Sequence, residues 1–153
     1  MQRQIRYALA KTTPAGQMAM NPQLKDFSVW GDVSQTDKGL KVALAGDLLF
    51  NPGHNRLSPD GVQTIDGIAA VLVNHTNDLV NIVEYTDNSG SSAGNLRISQ
   101  KRANAIKSEL VLKGVMADYI SAVGKGDADP VAPSDTADNR SKNRRAEIDI
   151  TTN

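Results

Sequence analysis

Two residues of opposite charge could do chemistry together. Asp87 lies in the polar run Thr86-Asp87-Asn88-Ser89-Gly90-Ser91-Ser92, and Arg102 follows Asn95 and Ser99 at the spacing i, i+4, i+7. On a helix those three residues form one polar stripe, expected opposite much of the apolar stripe of Ala103, Ile106 and Leu110. If the loop carrying Asp87 leads into the amino end of that helix, a carboxylate and a guanidinium meet at one mouth beside free helix N–H groups. An aspartate pairs with an ammonium and an arginine forks onto a carboxylate, so the mouth suits a zwitterion such as an amino-acid head group. Spacing alone leaves a plainer reading open, in which Asp87 caps a turn and Arg102 makes a surface ion pair.

Other chemistries lack their residues. The two histidines, His54 and His75, are not at metal-ligand spacing, and no zinc-protease, nucleophile-elbow or Walker pattern occurs. Gly124-Lys125-Gly126 carries only a fragment of a phosphate loop and reads as a turn. The absence of cysteine removes disulfides, thiolate nucleophiles and thiolate metal sites. Seventeen basic and seventeen acidic residues cancel, which disfavours a nucleic-acid groove or an anionic membrane surface as partner. With aromatics at 4%, stacking platforms for bases or sugar rings are scarce. No catalytic residue, metal or cofactor is therefore expected. No apolar run approaches the roughly 20 residues a membrane-spanning helix needs, and Met1–Ala10 has no long apolar stretch with a cleavage site, so the sequence reads as neither spanning nor targeted.

The elements that must position Asp87 and Arg102 follow from periodicity. Residues 39–50 alternate as a half-buried strand ending near Phe50, with Gly46 at a bulge or bend. Asn51–Leu57 is turn chemistry, and Ser58-Pro59-Asp60 starts a helix whose buried face is Val62, Ile65, Ile68, Ala69, Leu72 and Val73, stopping around Asn74. Leu79–Tyr85 has strand length and β-branched content. A second helix spans Asn95–Lys113 with Gly114 as its stop, and Ile120–Val123 is a short strand. About twenty residues without strong periodicity follow, with a short helix near 136–142, and Arg145–Thr151 alternates as a closing strand. Residues before Asp37, broken by Pro14, Gly16 and Pro22, read as a lead-in with one short helix or strand. This order predicts an α+β sandwich, an α/β layer of helices packed on one sheet, over one domain at 39–153 behind a lead-in at 1–38.

Three blocks resemble the peptidoglycan-binding C-terminal domain of OmpA-like proteins, shared with the peptidoglycan-associated lipoprotein and the flagellar stator protein MotB. Leu49-Phe50 through Leu57-Ser58-Pro59-Asp60-Gly61 is similar to the strand-end phenylalanine and the helix start "L-T/S-P-E/D-G". Thr86-Asp87-Asn88-x-Gly90 followed by Asn95-x-x-Ile98-Ser99-x-x-Arg102-Ala103 resembles "T-D-x-x-G … N-x-x-L-S-x-x-R-A". Asn143-Arg144-Arg145-Ala146-Glu147-Ile148 resembles "N-R-R-V-E-I".

The resemblance covers roughly 39–151 and implies a mixed β-sheet with helices on one face. It also implies a non-catalytic module that binds peptidoglycan, in the periplasm at the outer membrane, tethered through an anchor outside these residues. It assigns Asp87 to the ammonium and Arg102 to the carboxylate of the diaminopimelate side chain in the stem peptide, with Thr86, Asn95, Asn143 and Arg144 bordering the pocket. Three positions depart from the pattern. Glu84-Tyr85 stands where the family has Gly-His, expected to put bulk and charge beside the site; Asn51 stands where an acid often follows the phenylalanine, keeping hydrogen bonding but removing a negative charge. These departures motivate an alternative, a protein–protein, signalling or stator-type envelope module with a compromised pocket. A wall-degrading enzyme has only Glu84 and Asp87 as a nearby carboxylate pair.

Overall fold

The alternating residues of 39–45 and 145–151 meet as neighbouring antiparallel strands inside a five-stranded sheet. The computed structural model describes residues 22–152. In chain order the elements are α1 (Pro22–Phe27), β1 (Asp32–Thr36), β2 (Gly39–Ala45), α2 (Gly46–Leu49), α3 (Pro59–Leu72), β3 (Leu79–Tyr85), α4 (Ser92–Leu112), β4 (Ile120–Gly126), α5 (Ala137–Asn143) and β5 (Arg145–Thr151). The sheet order is β1-β2-β5-β3-β4. All neighbours are antiparallel except β3 and β4. That parallel pair needs a crossover, which α4 supplies.

Register puts Leu40, Ile150 and Val80 in one row, Val42, Ile148 and Ile82 in the next, and Leu44, Ala146 and Glu84 in the third. This face packs under α3 and α4 through Ile65, Ile68, Leu72, Ala103, Ile106 and Leu110, all buried. The opposite face carries Lys41, Tyr85, Arg145, Glu147 and Asp149. A mixed sheet with its core on one side is the predicted architecture.

Local signals acted where expected. Ser58 Oγ accepts from the Gly61 amide at 3.0 Å and Pro59 opens α3. Gly114, at φ +105°, ends α4 in a backbone conformation that a Cβ would strain. α4 begins three residues before the predicted Asn95, because Ser91 Oγ caps it by accepting from the Gly94 amide at 3.0 Å.

Three expectations are corrected. β2 stops at Ala45 rather than near Phe50: the Gly46 amide donates to the Arg144 carbonyl at 2.8 Å, and 46–49 coil into one helical turn that swings Leu49 and Phe50 into the core. β4 runs through the glycine-rich turn to Gly126, because Gly124 lets α4 approach so closely that a Cβ there would sit 2.1 Å from the Gln100 nitrogen. The boundary drawn at Gly39 falls inside the β1–β2 hairpin, and Phe27 of α1 is fully buried, so part of the lead-in belongs to the folded unit. Residues 1–21 of the lead-in lie outside the described residues.

Candidate functional site

α2, the 51–57 loop, the β3–α4 loop, α4 and Arg144 between α5 and β5 converge on a cleft of about 370 Å³. Asp47, Phe50, Asp87, Arg102 and Arg144 are among its lining residues. The two charges singled out from the sequence therefore share one mouth, and neither plainer reading holds. Among the described residues Arg102 makes no ion pair: it is 7% exposed, its Nε donates to the His54 carbonyl at 2.9 Å, and its guanidinium lies 5.1 Å from the centre of the Phe50 ring. Its Nη1 and Nη2 donate to no protein acceptor among the described residues. Burial lowers its pKa, while the Glu84, Asp47 and Asp87 carboxylates act the other way.

Asp87 does more than cap its turn. One oxygen accepts from the Ser89 amide at 2.9 Å, and the other accepts from Arg144 Nη1. Burial alone would raise its carboxyl, but those donors outweigh it and hold the group below the usual carboxylate range. Arg144 also forks onto Asp47, through Nε at 2.8 Å and Nη2 at 3.0 Å. That hydrogen bonding holds Asp47 low and the Arg144 guanidinium firmly charged.

Thr86 and Asn95 stand behind Asp87 rather than in the cleft. The Thr86 hydroxyl donates to the Asp87 carbonyl at 2.7 Å, and Asn95 Nδ2 donates to the same oxygen at 3.4 Å, so both shape the loop that aims the carboxylate. Asn143 is brought near but fully spent: its Oδ1 accepts from the Val131 and Ala132 amides at 2.8 and 3.0 Å, and its Nδ2 donates to the Ala132 carbonyl and Ser134 Oγ at 2.8 and 2.9 Å. It pins the 131–134 loop. Asn51 is exposed and is not among the lining residues; its carbonyl accepts from the His54 amide at 3.0 Å, which closes a turn.

The polar stripe of α4 is not opposite the core stripe. At roughly 100° per residue, Asn95, Ser99, Arg102, Ala103, Ile106 and Leu110 fall within about 100° of one another, and all six are buried. Ser99 is consumed by packing, its Oγ accepting from the Gly126 amide at 2.9 Å.

The departures at Glu84 and Tyr85 leave the cleft walls clear. Tyr85 points to the other face of the sheet, where the Arg145 guanidinium lies 3.8 Å above its ring. Glu84 points into the layer beneath α4, fully buried, with neither carboxyl oxygen hydrogen-bonded. Burial pushes its pKa well above the ordinary range, against the pull of Arg102 and Arg145.

Asp47 is the site residue that sequence reasoning missed. It restores the negative charge absent at Asn51. Its signal was the end of alternation at Ala45, after which Leu48, Leu49 and Phe50 run together and cannot all lie on one face of a strand. Among the described residues, no group of three or more His, Asp or Glu is placed to hold a metal ion.

A profile of the OmpA family matches residues 49–144. The chain is 35% identical over 130 residues to the probable lipoprotein YiaD of Escherichia coli, covering 84% of this chain and 59% of that protein. It is 32% identical over 118 residues to the peptidoglycan-binding protein ArfA of Mycobacterium tuberculosis, covering 77% of this chain and 36% of that one. The chain thus spans less than two thirds of the length of these relatives. Among solved structures, the cell wall anchor of the T6SS from Pseudomonas aeruginosa superposes with a TM-score of 0.76 at 25% identity, over 88% of this chain and 100% of that one. Profile, relatives and fold agree that this chain belongs to the OmpA family.

Proposed function

We propose that this domain is a non-catalytic peptidoglycan-binding module that clamps the diaminopimelate of the stem peptide, tethering the outer membrane or an envelope complex to the wall from the periplasmic side. The observation that carries the reading is the cleft's charge layout: two unengaged guanidinium nitrogens on Arg102 and two carboxylates, Asp87 and Asp47, in one recess. A zwitterion fits with its carboxylate forked on Arg102 and its ammonium against Asp87. Arg144 holds Asp87 in the free cleft and keeps its fork on Asp47, so it can yield the Asp87 oxygen to an incoming ammonium without losing a partner. The names of ArfA and of the Pseudomonas aeruginosa wall anchor support the ligand class.

A non-catalytic role accords with the protonation of the cleft. Asp47 and Asp87 are both held below the usual carboxylate range, so neither is a proton donor near neutral pH. The rival reading, a protein-partner module with a blocked pocket, depended on Glu84 and Tyr85 crowding the cleft, and neither lines it. One zwitterion clamp offset by ordering costs gives modest affinity, which repetition of the ligand on a polymeric wall multiplies.

Co-sedimentation with sacculi tests this. Diaminopimelate-type sacculi should pellet the domain. Lysine-type sacculi should not, since lysine has the ammonium but lacks the carboxylate that Arg102 needs. Asp87→Asn, which keeps the Ser89 amide bond but removes the charge, should lower pelleting at least tenfold. Equal pelleting by both wall types, or by the variant, would refute the clamp.

A further inference from the structure

Glu84 is a buried titratable residue that takes no part in lining the cleft. It sits on the core face of β3, fully buried, and neither oxygen has a hydrogen-bond partner. A carboxylate in that setting costs far more than a carboxylic acid, so burial favours the protonated form. Its charged surroundings are few. From α4 Arg102 acts on it, from β5 Arg145 acts on it across the sheet, and its register partners on β4 and β5 are Gly124 and Ala146. Arg102 in turn has Glu84 behind it and the cleft in front, with Nη1 and Nη2 unengaged.

We propose that Glu84 is a positioning residue for the anion half of the cleft, setting through its protonation state how strongly Arg102 holds a carboxylate that enters from the front. The proposal rests on the wall-ligand reading above. With Glu84 protonated, the guanidinium presents its full charge to the ligand. With Glu84 ionised, its negative charge acts on Arg102 from the core side without a direct bond and offsets part of the field that the guanidinium presents to the ligand carboxylate. Affinity is therefore highest at the acid end and falls as pH rises through the titration of Glu84. By reciprocity, a bound ligand carboxylate raises the proton affinity of Glu84 by the same factor. Asp47 and Asp87 are held low and Arg144 high, so none of them changes charge in the same interval.

The test measures binding of a soluble muropeptide carrying meso-diaminopimelate from about pH 5 to pH 8, with wild type beside Glu84→Gln, and follows the Glu84 carboxyl carbon by NMR in the wild type with and without that muropeptide. Wild-type affinity should fall with pH, at most about tenfold per unit for a single linked proton. Glu84→Gln should be flat, and saturation should move the Glu84 titration midpoint upward. A slope that persists in Glu84→Gln assigns the titration elsewhere and overturns the proposal. So does a Glu84 midpoint that the ligand leaves unmoved, a readout that requires no variant to fold. Absence of binding at every pH would instead refute the wall-ligand reading, and the proposal with it.

Discussion

At the scale of single residues, shifts in protonation fix how stability responds to acid and base. Asp47 and Asp87 have folded pKa values below their ordinary 3.8, so their contribution is present above that value and is lost as pH falls through the folded ones. Glu84 has the opposite sign. Its folded pKa lies well above its ordinary 4.5, so stability falls as pH rises from 4.5 toward the folded value. Urea midpoints for the wild type should therefore decline as pH rises above about 4.5, and Glu84→Gln should shrink that decline to the part left by Asp149 and Glu109, whose carboxyls are also held high, while leaving the acid limb in place. An unchanged decline in the variant would mean that Glu84 is ionised in the folded protein. Asn143 gives a second prediction, since its amide makes four hydrogen bonds to the 131–134 loop. Asn143→Ala leaves those groups unpaired and should cost about 2–3 kcal/mol in urea unfolding. A loss under about 0.5 kcal/mol would return Asn143 to the ligand cleft. This residue also marks the limit of what the sequence shows: its type and motif indicated the neighbourhood, but which partners consume the amide depends on a loop path with no periodic signal.

At the scale of elements, the strands and helices that carry a local signature were legible. Serine caps, a proline at the first helical turn, a glycine stop and strict alternation are written within a few residues of where they act. Close approach between elements is not. Gly124 looks like a turn residue, yet a Cβ there would meet the Gln100 nitrogen at 2.1 Å and the Ser99 carbonyl carbon at 2.4 Å, both backbone atoms of α4. The same approach brings the Gly124 amide to Gln100 Oε1 at 3.0 Å and the Gly126 amide to Ser99 Oγ at 2.9 Å. Gly124→Ala must push α4 off β4 and loosen both bonds. It should cost about 2–4 kcal/mol, from overpacking and weakened hydrogen bonds. Since Arg102 lies one turn along from Ser99, the same displacement should weaken the muropeptide binding proposed above although residue 124 is not among the residues lining the cleft. Thermal unfolding and a binding isotherm on one sample would check both effects, and a variant with wild-type stability would show that α4 is not seated as closely as described.

At the scale of the whole molecule, the question is where the cooperative unit begins. Periodicity placed the boundary at Gly39 because the preceding residues are broken by proline and glycine and alternate poorly: β1 has only Val33 half-buried, with its other residues exposed. A solvated edge strand of that kind gives almost no hydrophobic signal. What ties the segment to the fold is contact at a distance. Phe27 is completely buried in the common core, Trp30 packs against it over Gly67 of α3, and β1 pairs with residues 39–43 of β2. A chain starting at Gly39 would lose Phe27, whose removal from a core costs about 3–5 kcal/mol, and would bare the β2 edge for association with other chains. Against a stability of about 5–15 kcal/mol for a domain, that loss is large. We expect the 39–153 fragment to unfold at least 10 °C below a 22–153 fragment and to self-associate, and Phe27→Ala in the longer fragment to reproduce most of the destabilisation without the association. Calorimetry and sedimentation velocity on the three proteins separate the two contributions. Matching transitions for the two fragments would place the boundary back at Gly39 and make α1 and β1 an accessory to the domain.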